Sequence, residues 1–204
     1  MGITDSQKTA MKAWTAITVA LWSGWLVAKV TVGGSCERPD LVKDFDRENY
    51  LGRWYEMYRE VSVPFEDEDC ATATYVELPS NYIEVNNIEY AIDEQAFLKG
   101  DPSTPGKAQC SSLRSGLCQV KFFELSPWSD YSILYTDYTT HSVVYGCDTF
   151  GAGALKFDWL WVLTRVPNAI GSAAHGLMTT TVFDVINDKL EDFGEPASRL
   201  RPTE

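Results

Sequence analysis

The feature that most constrains the fold of this chain is a series of short strand-like runs with no helical pattern between them. The runs alternate apolar and polar residues, which is the period of a half-buried β-strand. They cover residues 53–58, 71–78, 82–90, 107–111, 117–125, 131–137, 142–147 and 157–166. Residues 91–100 fit either a strand or a loop, and residues 101–106 are rich in turn formers. Eight short strands joined mostly by hairpin-length connections predict an all-β fold, an eight-stranded antiparallel up-and-down β-barrel.

The first of these runs begins in a way that suits the closing of a barrel at one end. Residues 47–51 are predicted to form a short helical turn with Asp46 as its N-cap. Gly52 then ends the turn, because a residue without a side chain can adopt a positive φ. A helical turn that delivers Trp54 onto the start of a strand can plug a barrel. An ordinary edge strand with a core tryptophan is the alternative.

The chain after Pro167 changes from the strand period to a helical one. Apolar side chains recur at helical spacing within residues 173–193, at Leu177, Val182, Val185, Ile186, Leu190 and Phe193. Gly194 and Pro196 follow, and both residue types stop helices. We therefore predict one C-terminal α-helix packed on the barrel wall, with residues 197–200 as a short returning strand.

The N-terminal segment, residues 1–35, is distinct from the rest of the chain. Residues 13–28 carry no charge, and a helix extended past Lys29 to Val32 would span about 30 Å, the thickness of a hydrocarbon core. A retained signal-anchor or transmembrane helix is one interpretation, with Trp14 and Trp25 near the interfaces. A signal peptide cleaved near residues 32–35, followed by secretion, is the alternative. We predict an anchor in residues 1–35 and a barrel domain in residues 36–204.

Charge and cysteine content exclude several functions. The net charge of −12 argues against nucleic-acid binding, which needs clustered lysine and arginine. A metal site is not expected, because there are only two histidines and no pair of cysteines at metal-binding spacing. Five cysteines in a β protein indicate disulfides, and hence an oxidising compartment. We expect the barrel on the non-cytosolic side of a membrane, extracellular, periplasmic or in an organelle lumen or intermembrane space.

Three separate blocks of sequence resemble those of the lipocalin family, in the same order and at similar distances. They are Gly52-x-Trp54, Thr136-Asp137-Tyr138 and Arg165, and the likeness extends from about Cys36 to Pro202. The resemblance implies that Arg165 stacks across the indole of Trp54 at the closed end of the barrel, a cation–π contact of ~1–2 kcal/mol. It also implies that the turn of Thr136, Asp137 and Tyr138 lies at that end.

Alternation along the last strand predicts what lines the open part of the barrel. Trp159, Trp161, Leu163 and Arg165 share one face, so the two tryptophans lie above the closed end if Arg165 faces inward. The resemblance also implies pocket-lining positions on two other strands. The complete set of predicted ligand-binding residues is Tyr75, Asn87, Trp161, Trp159, Ala73 and Tyr58.

Small residues and an amide in this set favour a cavity. Ala71 and Ala73 share a face with Tyr75 and leave room inside the barrel. An inward-facing Asn87 would need a partner, such as a ligand oxygen or a buried water. The alternative is that Tyr75 and Trp161 pack together as core.

Four of the five cysteines are expected to form two disulfides, and the fifth is left as a free thiol. The resemblance implies a bridge between Cys36 and Cys147, and Cys110 and Cys118 flank one hairpin and could pair across it. Cys70 is then the odd thiol, unless it pairs with one of the hairpin cysteines. One enzyme of the family uses a barrel cysteine as its nucleophile, which requires a lowered thiol pKa. Four carboxylates precede Cys70 and would raise that pKa, so we predict no enzymatic activity.

We therefore expect a membrane-tethered lipocalin without a cofactor. Its barrel would bind a small hydrophobic molecule such as a lipid, sterol, fatty acid or isoprenoid. The alternative is an accessory subunit of a membrane complex, in which the barrel serves as a docking module.

Overall fold

The computed structural model describes most of the barrel domain. It describes residues 30–32, 35–36, 39–61, 63, 71–92, 98–102, 105–111, 115–167, 182–188 and 200–203. Residues 1–29 of the predicted anchor, Cys70 and most of the predicted C-terminal helix lie outside these ranges. Within them, no helix is both long enough and apolar enough to cross a membrane.

The described part of the chain forms strands and two short helices. The strands are β1 (Val30–Val32), β2 (Gly52–Glu60), β3 (Thr72–Glu77), β4 (Ile83–Ile92), β5 (Leu98–Pro102), β6 (Gly106–Cys110), β7 (Leu117–Lys121), β8 (Ser129–Thr136), β9 (His141–Phe150), β10 (Leu155–Thr164) and β11 (Leu200–Pro202). The helices are α1 (Arg47–Tyr50) and α2 (residues 182–188). The backbone N–H of Asn49 donates to the side chain of Asp46, so the predicted N-cap of α1 is confirmed.

Eight of the strands close into a barrel. β2, β3, β4, β6, β7, β8, β9 and β10 pair in that order as antiparallel neighbours, and β10 pairs with β2. The three other strands pair with strands of this closed ring: β1 with β10, β5 with β4 and β11 with β2. The predicted eight-stranded antiparallel barrel is confirmed.

Some predicted element bounds differ from the structure. Val30–Val32 pair with Leu155–Phe157, so the prediction that a helix extends to Val32 is wrong. β7 ends at Lys121 and not at residue 125, because Ser126 folds back and its N–H donates to the carbonyl oxygen of Phe123. Residues 101–102, predicted as a turn, belong to β5.

Two apolar clusters lie on opposite faces of the barrel wall. The inner cluster includes Trp54, Tyr75 and Leu163. The outer one includes Leu160 and Val162 of β10, together with Val182, Phe183, Val185 and Ile186 of α2. The predicted packing of a C-terminal helix on the wall is therefore present over residues 182–188.

An irregularity in β2 reverses the direction of one predicted site residue. Leu163 pairs with Glu56 and Val162 pairs with Tyr58, so Met57 is the extra residue of a β-bulge. Beyond the bulge, Tyr58 shares the outer face with Val162, and its ring lies 5.6 Å from that of Phe183. The prediction that Tyr58 lines the inside of the barrel is wrong, because simple alternation does not count the bulged residue.

Candidate functional site

The closed end of the barrel is organised around Arg165, which follows β10. Its guanidinium carbon lies 3.8 Å from the centre of the Trp54 indole. The guanidinium nitrogens donate to five backbone carbonyl oxygens at 2.8–3.2 Å, those of Asn49, Tyr50, Leu51, Arg53 and Tyr138. Burial lowers the pKa of Arg165 from its ordinary value, although nearby tyrosines oppose this effect. The side chain ties α1, β2 and the β8–β9 turn together.

Trp54 fills the space under this arginine. It is fully buried, and its indole N–H donates to the carbonyl oxygen of Tyr50 at 2.9 Å. Gly52 lies at φ +93°, and a Cβ atom there would be 3.3 Å from a guanidinium nitrogen of Arg165. A glycine at this position therefore allows both the backbone conformation and the approach of the arginine.

The Thr136-Asp137-Tyr138 block forms the β8–β9 turn at the same end. One carboxylate oxygen of Asp137 accepts from the backbone N–H groups of Thr139, Thr140 and His141 at 2.7–3.1 Å. Burial alone would raise the pKa of Asp137, but hydrogen bonds from Thr140 and His141 outweigh it and lower that pKa. The hydroxyl of Tyr138 accepts from the N–H of Asp46, the residue that caps α1.

On β10, three inward-facing side chains are more exposed than the outward-facing ones between them. The inward-facing Phe157, Trp159 and Trp161 are each partly exposed. The alternating outward residues, Asp158, Leu160 and Val162, are buried beneath the elements outside the wall. Nearer the closed end the inner face becomes buried as well, at Leu163. The barrel interior therefore retains accessible surface above its closed end, and we refer to this upper interior as the cup.

The other predicted site residues lie on the inner faces of β3 and β4. Ala73 is paired with Asn87, and Tyr75 with Val85. Ala73 and Asn87 are partly exposed, like the tryptophans, whereas Tyr75 is buried within the inner cluster. The structure thus brings Ala73, Asn87, Trp159 and Trp161 to the inner wall, and places Tyr75 lower, at the floor of the cup.

The floor contains a hydroxyl network that the sequence did not indicate. The hydroxyl oxygens of Tyr75 and Tyr131 are 2.6 Å apart, and those of Tyr50 and Tyr131 are 3.5 Å apart. The Tyr50 hydroxyl also lies 3.1 Å from that of Ser142, which donates to the carbonyl oxygen of Tyr135. Burial raises the pKa of Tyr50, and raises that of Tyr131 well above its ordinary value.

A buried ion pair is a second feature missed from the sequence. Arg59 and Glu56 are almost completely buried, with a guanidinium nitrogen 3.2 Å from a carboxylate oxygen. Arg59 is paired with Trp161 and Glu56 with Leu163, so both charged side chains share the inner face. Strict alternation from Trp54 would have placed Arg59 outside, and only the bulge at Met57 brings it in.

Two disulfides hold the described part of the chain. Cys36 is bonded to Cys147 on β9, which ties the segment before α1 to the outer wall. Cys110 is bonded to Cys118 across the β6–β7 hairpin, on the inner face near the closed end. These are the two pairings expected from the sequence.

Eight antiparallel strands, one plugged end and an accessible inner face define a barrel of the size that can hold one small molecule. A sequence profile of the lipocalin-like domain matches residues 45–184. The chain belongs to the lipocalin family.

Individual relatives agree with this assignment. The chain is 35% identical to mouse (Mus musculus) apolipoprotein D over 135 residues, which are 66% of this chain and 68% of the relative. It is 26% identical to the bilin-binding protein of Pieris brassicae over 182 residues, 85% of this chain and 92% of that one. Among solved structures, insecticyanin from the tobacco hornworm Manduca sexta superposes with a TM-score of 0.63 at 18% identity, covering 84% of this chain and 87% of the other. That structural likeness concerns the fold alone.

Proposed function

We propose that this protein binds a small hydrophobic molecule, such as a lipid, sterol, fatty acid or isoprenoid, inside the cup. The observation that carries the proposal is the partial exposure of Phe157, Trp159 and Trp161 on the inner face of β10. Large aromatic side chains that face the inside of a barrel and still have accessible surface are suited to cover an apolar guest.

Burial of the ligand supplies the binding energy in this proposal. Removing ~300 Å² of apolar area from water contributes about 7 kcal/mol before the costs of ordering, at ~25 cal/mol per Å². After those costs, affinities in the micromolar range are expected. The aromatic side chains of β10 provide one wall, and Ala73 and Asn87 stand on the inner faces of β3 and β4.

The name of one relative is consistent with a carrier function. Bilin-binding protein is named for its ligand. By the same reasoning this barrel is proposed to be a binding protein and not an enzyme. Broad selectivity is expected, because a predominantly apolar wall discriminates weakly among guests of similar size.

A direct titration with a fluorescent ligand tests the proposal. A fluorescent fatty acid is titrated into the full-length protein, and the same titration is repeated with Trp161→Ala and with Trp128→Ala. Trp128 lies in the β7–β8 connection and stacks with Tyr82, so it is a matched tryptophan outside the inner cluster. The proposal expects at least tenfold weaker binding by Trp161→Ala and little change with Trp128→Ala. Equal affinity of Trp161→Ala and the unaltered protein would contradict the cup as the binding site.

We also propose that the barrel faces an oxidising compartment and is tethered to the membrane through residues 1–29, which precede β1. Two disulfides support the compartment, and the uncharged run of residues 13–28 supports the tether. Secretion after cleavage is the alternative. Alkaline extraction of membranes, with mass spectrometry of the N-terminus, distinguishes a retained anchor from a cleaved signal peptide.

The accessory-subunit alternative makes a different prediction. A docking module would copurify with fixed membrane partners, and Trp161→Ala would leave that association and the function of the complex unchanged. The accessible inner face of β10 favours ligand binding over this alternative.

A further inference from the structure

For each hydroxyl contact at the floor of the cup, the donor and the acceptor can be assigned by asking which hydroxyl proton is still available. Ser142 has one hydroxyl proton, and it is donated to the carbonyl oxygen of Tyr135 at 3.1 Å. The contact between Tyr50 and Ser142 therefore needs the proton of Tyr50. With that proton used, the contact between Tyr50 and Tyr131 needs the proton of Tyr131. The short contact between Tyr131 and Tyr75 is then made with the proton of Tyr75.

With all of these contacts counted as hydrogen bonds, the 3.5 Å contact between Tyr50 and Tyr131 included, the network has one direction, from Tyr75 through Tyr131 and Tyr50 to Ser142. This direction holds only while the phenols are neutral, and burial raises the pKa of Tyr50 and of Tyr131. Each proton already has an acceptor within the network. What remains at Tyr131 is a second lone pair on its oxygen.

Tyr131 is also the network member that a guest can reach most easily. Tyr50, Tyr75 and Ser142 are 3%, 6% and 0% exposed, whereas Tyr131 is partly exposed. Tyr131 is paired with Cys118, whose side chain belongs to the inner cluster, so Tyr131 faces the inside of the barrel. The one network residue that keeps some exposed surface is therefore the residue whose hydroxyl oxygen has a lone pair left over.

We propose that the cup prefers hydrophobic ligands that end in a hydroxyl group, and that this hydroxyl donates to the phenolic oxygen of Tyr131. The inference rests on the proposed function, because it concerns the guest of the same cup. The hydroxyl of an alcohol can donate to the remaining lone pair of Tyr131, and every hydrogen bond within the network is then kept. An ether or a ketone of the same shape brings only an acceptor, and it must take the Tyr131 proton away from Tyr50.

Decanol and decyl methyl ether test this preference, because they share an apolar chain and differ in the donor. Binding to the full-length protein is measured by calorimetry, with the methyl ketone of similar length as a third ligand. The proposal expects decanol to bind about fivefold to tenfold more tightly than the ether and the ketone. If the floor has no available acceptor, decanol is expected to bind more weakly than the ether and the ketone. The alcohol then loses its hydrogen bonds to water without replacement.

Two variants assign the preference to its residue. Tyr131→Phe is expected to abolish the difference between decanol and the ether while leaving the affinity for the ether unchanged. Tyr82→Phe, whose ring stacks on Trp128 away from the inner cluster, is expected to retain the difference. A preference that survives Tyr131→Phe would overturn the assignment. Should that variant fail to fold, the order of the three ligands in the unaltered protein still decides the preference.

The result separates this inference from the proposed function. If both decanol and its ether bind, with the ether equal or tighter, the cup is a binding site without a hydroxyl preference. If neither ligand binds and the fluorescent fatty acid also fails to bind, the proposed function itself is wrong.

Discussion

The guanidinium of Arg165 lies over the indole of Trp54, with 3.8 Å between the guanidinium carbon and the ring centre. The same guanidinium donates to five backbone carbonyl oxygens contributed by α1, β2 and the β8–β9 turn. The planar fork of arginine is required for this arrangement, because a lysine ammonium has three donors at a single point. The contact therefore joins the first strand of the barrel to the end of the last one.

Replacement of Arg165 by lysine tests how much the hydrogen bonds of the guanidinium group contribute to stability. Arg165→Lys keeps the charge but loses most of the carbonyl partners, and we expect a loss of about 2–3 kcal/mol in the free energy of unfolding. Urea unfolding with intact disulfides measures it. Arg53→Lys, at an exposed position on the outer face of β2, is the matched control and should change stability by less than about 0.5 kcal/mol. Similar stability of the two variants would contradict the role of Arg165.

A side chain at position 52 should be poorly tolerated. Gly52→Ala places a Cβ on a backbone at φ +93°, 3.3 Å from Arg165, and we expect a cost of about 2 kcal/mol. Gly151→Asn is the control, because φ there is +62° and asparagine tolerates the left-handed region. Thermal unfolding of both variants measures the difference. An alanine at position 52 as stable as the glycine would show that the turn can relax.

Much of the closed end could be predicted from the sequence, because its determinants are local. The cap at Asp46, the positive φ of Gly52 and the shared face of Trp161 and Arg165 follow from turn chemistry and alternation. Alternation failed at Tyr58, because it presumes a strand without a bulge. Nothing in the residues around Met57 signals the extra position.

The hydroxyl network of the floor could not be predicted for a different reason. Its members, Tyr50, Tyr75, Tyr131 and Ser142, come from α1, β3, β8 and β9, and their hydroxyls meet only when strand register is known. Polar residues on inward positions of separate strands are the one signal that the sequence carries. Which of these polar residues contact one another can be determined only once the strand order and register of the barrel are known.

His141 should make stability depend on pH in a defined window. Burial lowers its pKa, and its Nε2 atom has no hydrogen-bond partner within the described part of the chain. The neutral ring, stacked on Tyr135, is therefore favoured in the folded state. The resulting stability is present above the pKa of about 6.5 in the unfolded chain and is lost as pH falls below it. Asp137 also has a lowered pKa, but its contribution is lost only under more acidic conditions.

Unfolding free energies at about pH 7.5 and about pH 5.5 measure this effect. The unaltered protein is expected to lose stability between them, and His141→Gln is expected to lose less, because glutamine does not titrate. An equal loss in both proteins would assign the pH dependence to other groups.

The two disulfides should differ in their contribution to stability. Cys36 and Cys147 are 111 positions apart, whereas Cys110 and Cys118 are 8 positions apart. On the chain-entropy model, opening the longer loop costs about 2 kcal/mol more than opening the shorter one. Paired serine replacements at each bridge, compared by urea unfolding, measure the difference. A larger loss from the hairpin bridge would indicate that its packing in the inner cluster outweighs chain entropy.

The most direct measurement of the central claim is a crystal structure of the protein with a brominated fatty acid, in which anomalous scattering locates the bromine. We predict a peak inside the barrel, between Trp161 on the wall and Tyr131 at the floor. A peak only on the outer wall, or a cup filled by protein side chains with no bromine inside, would contradict the account.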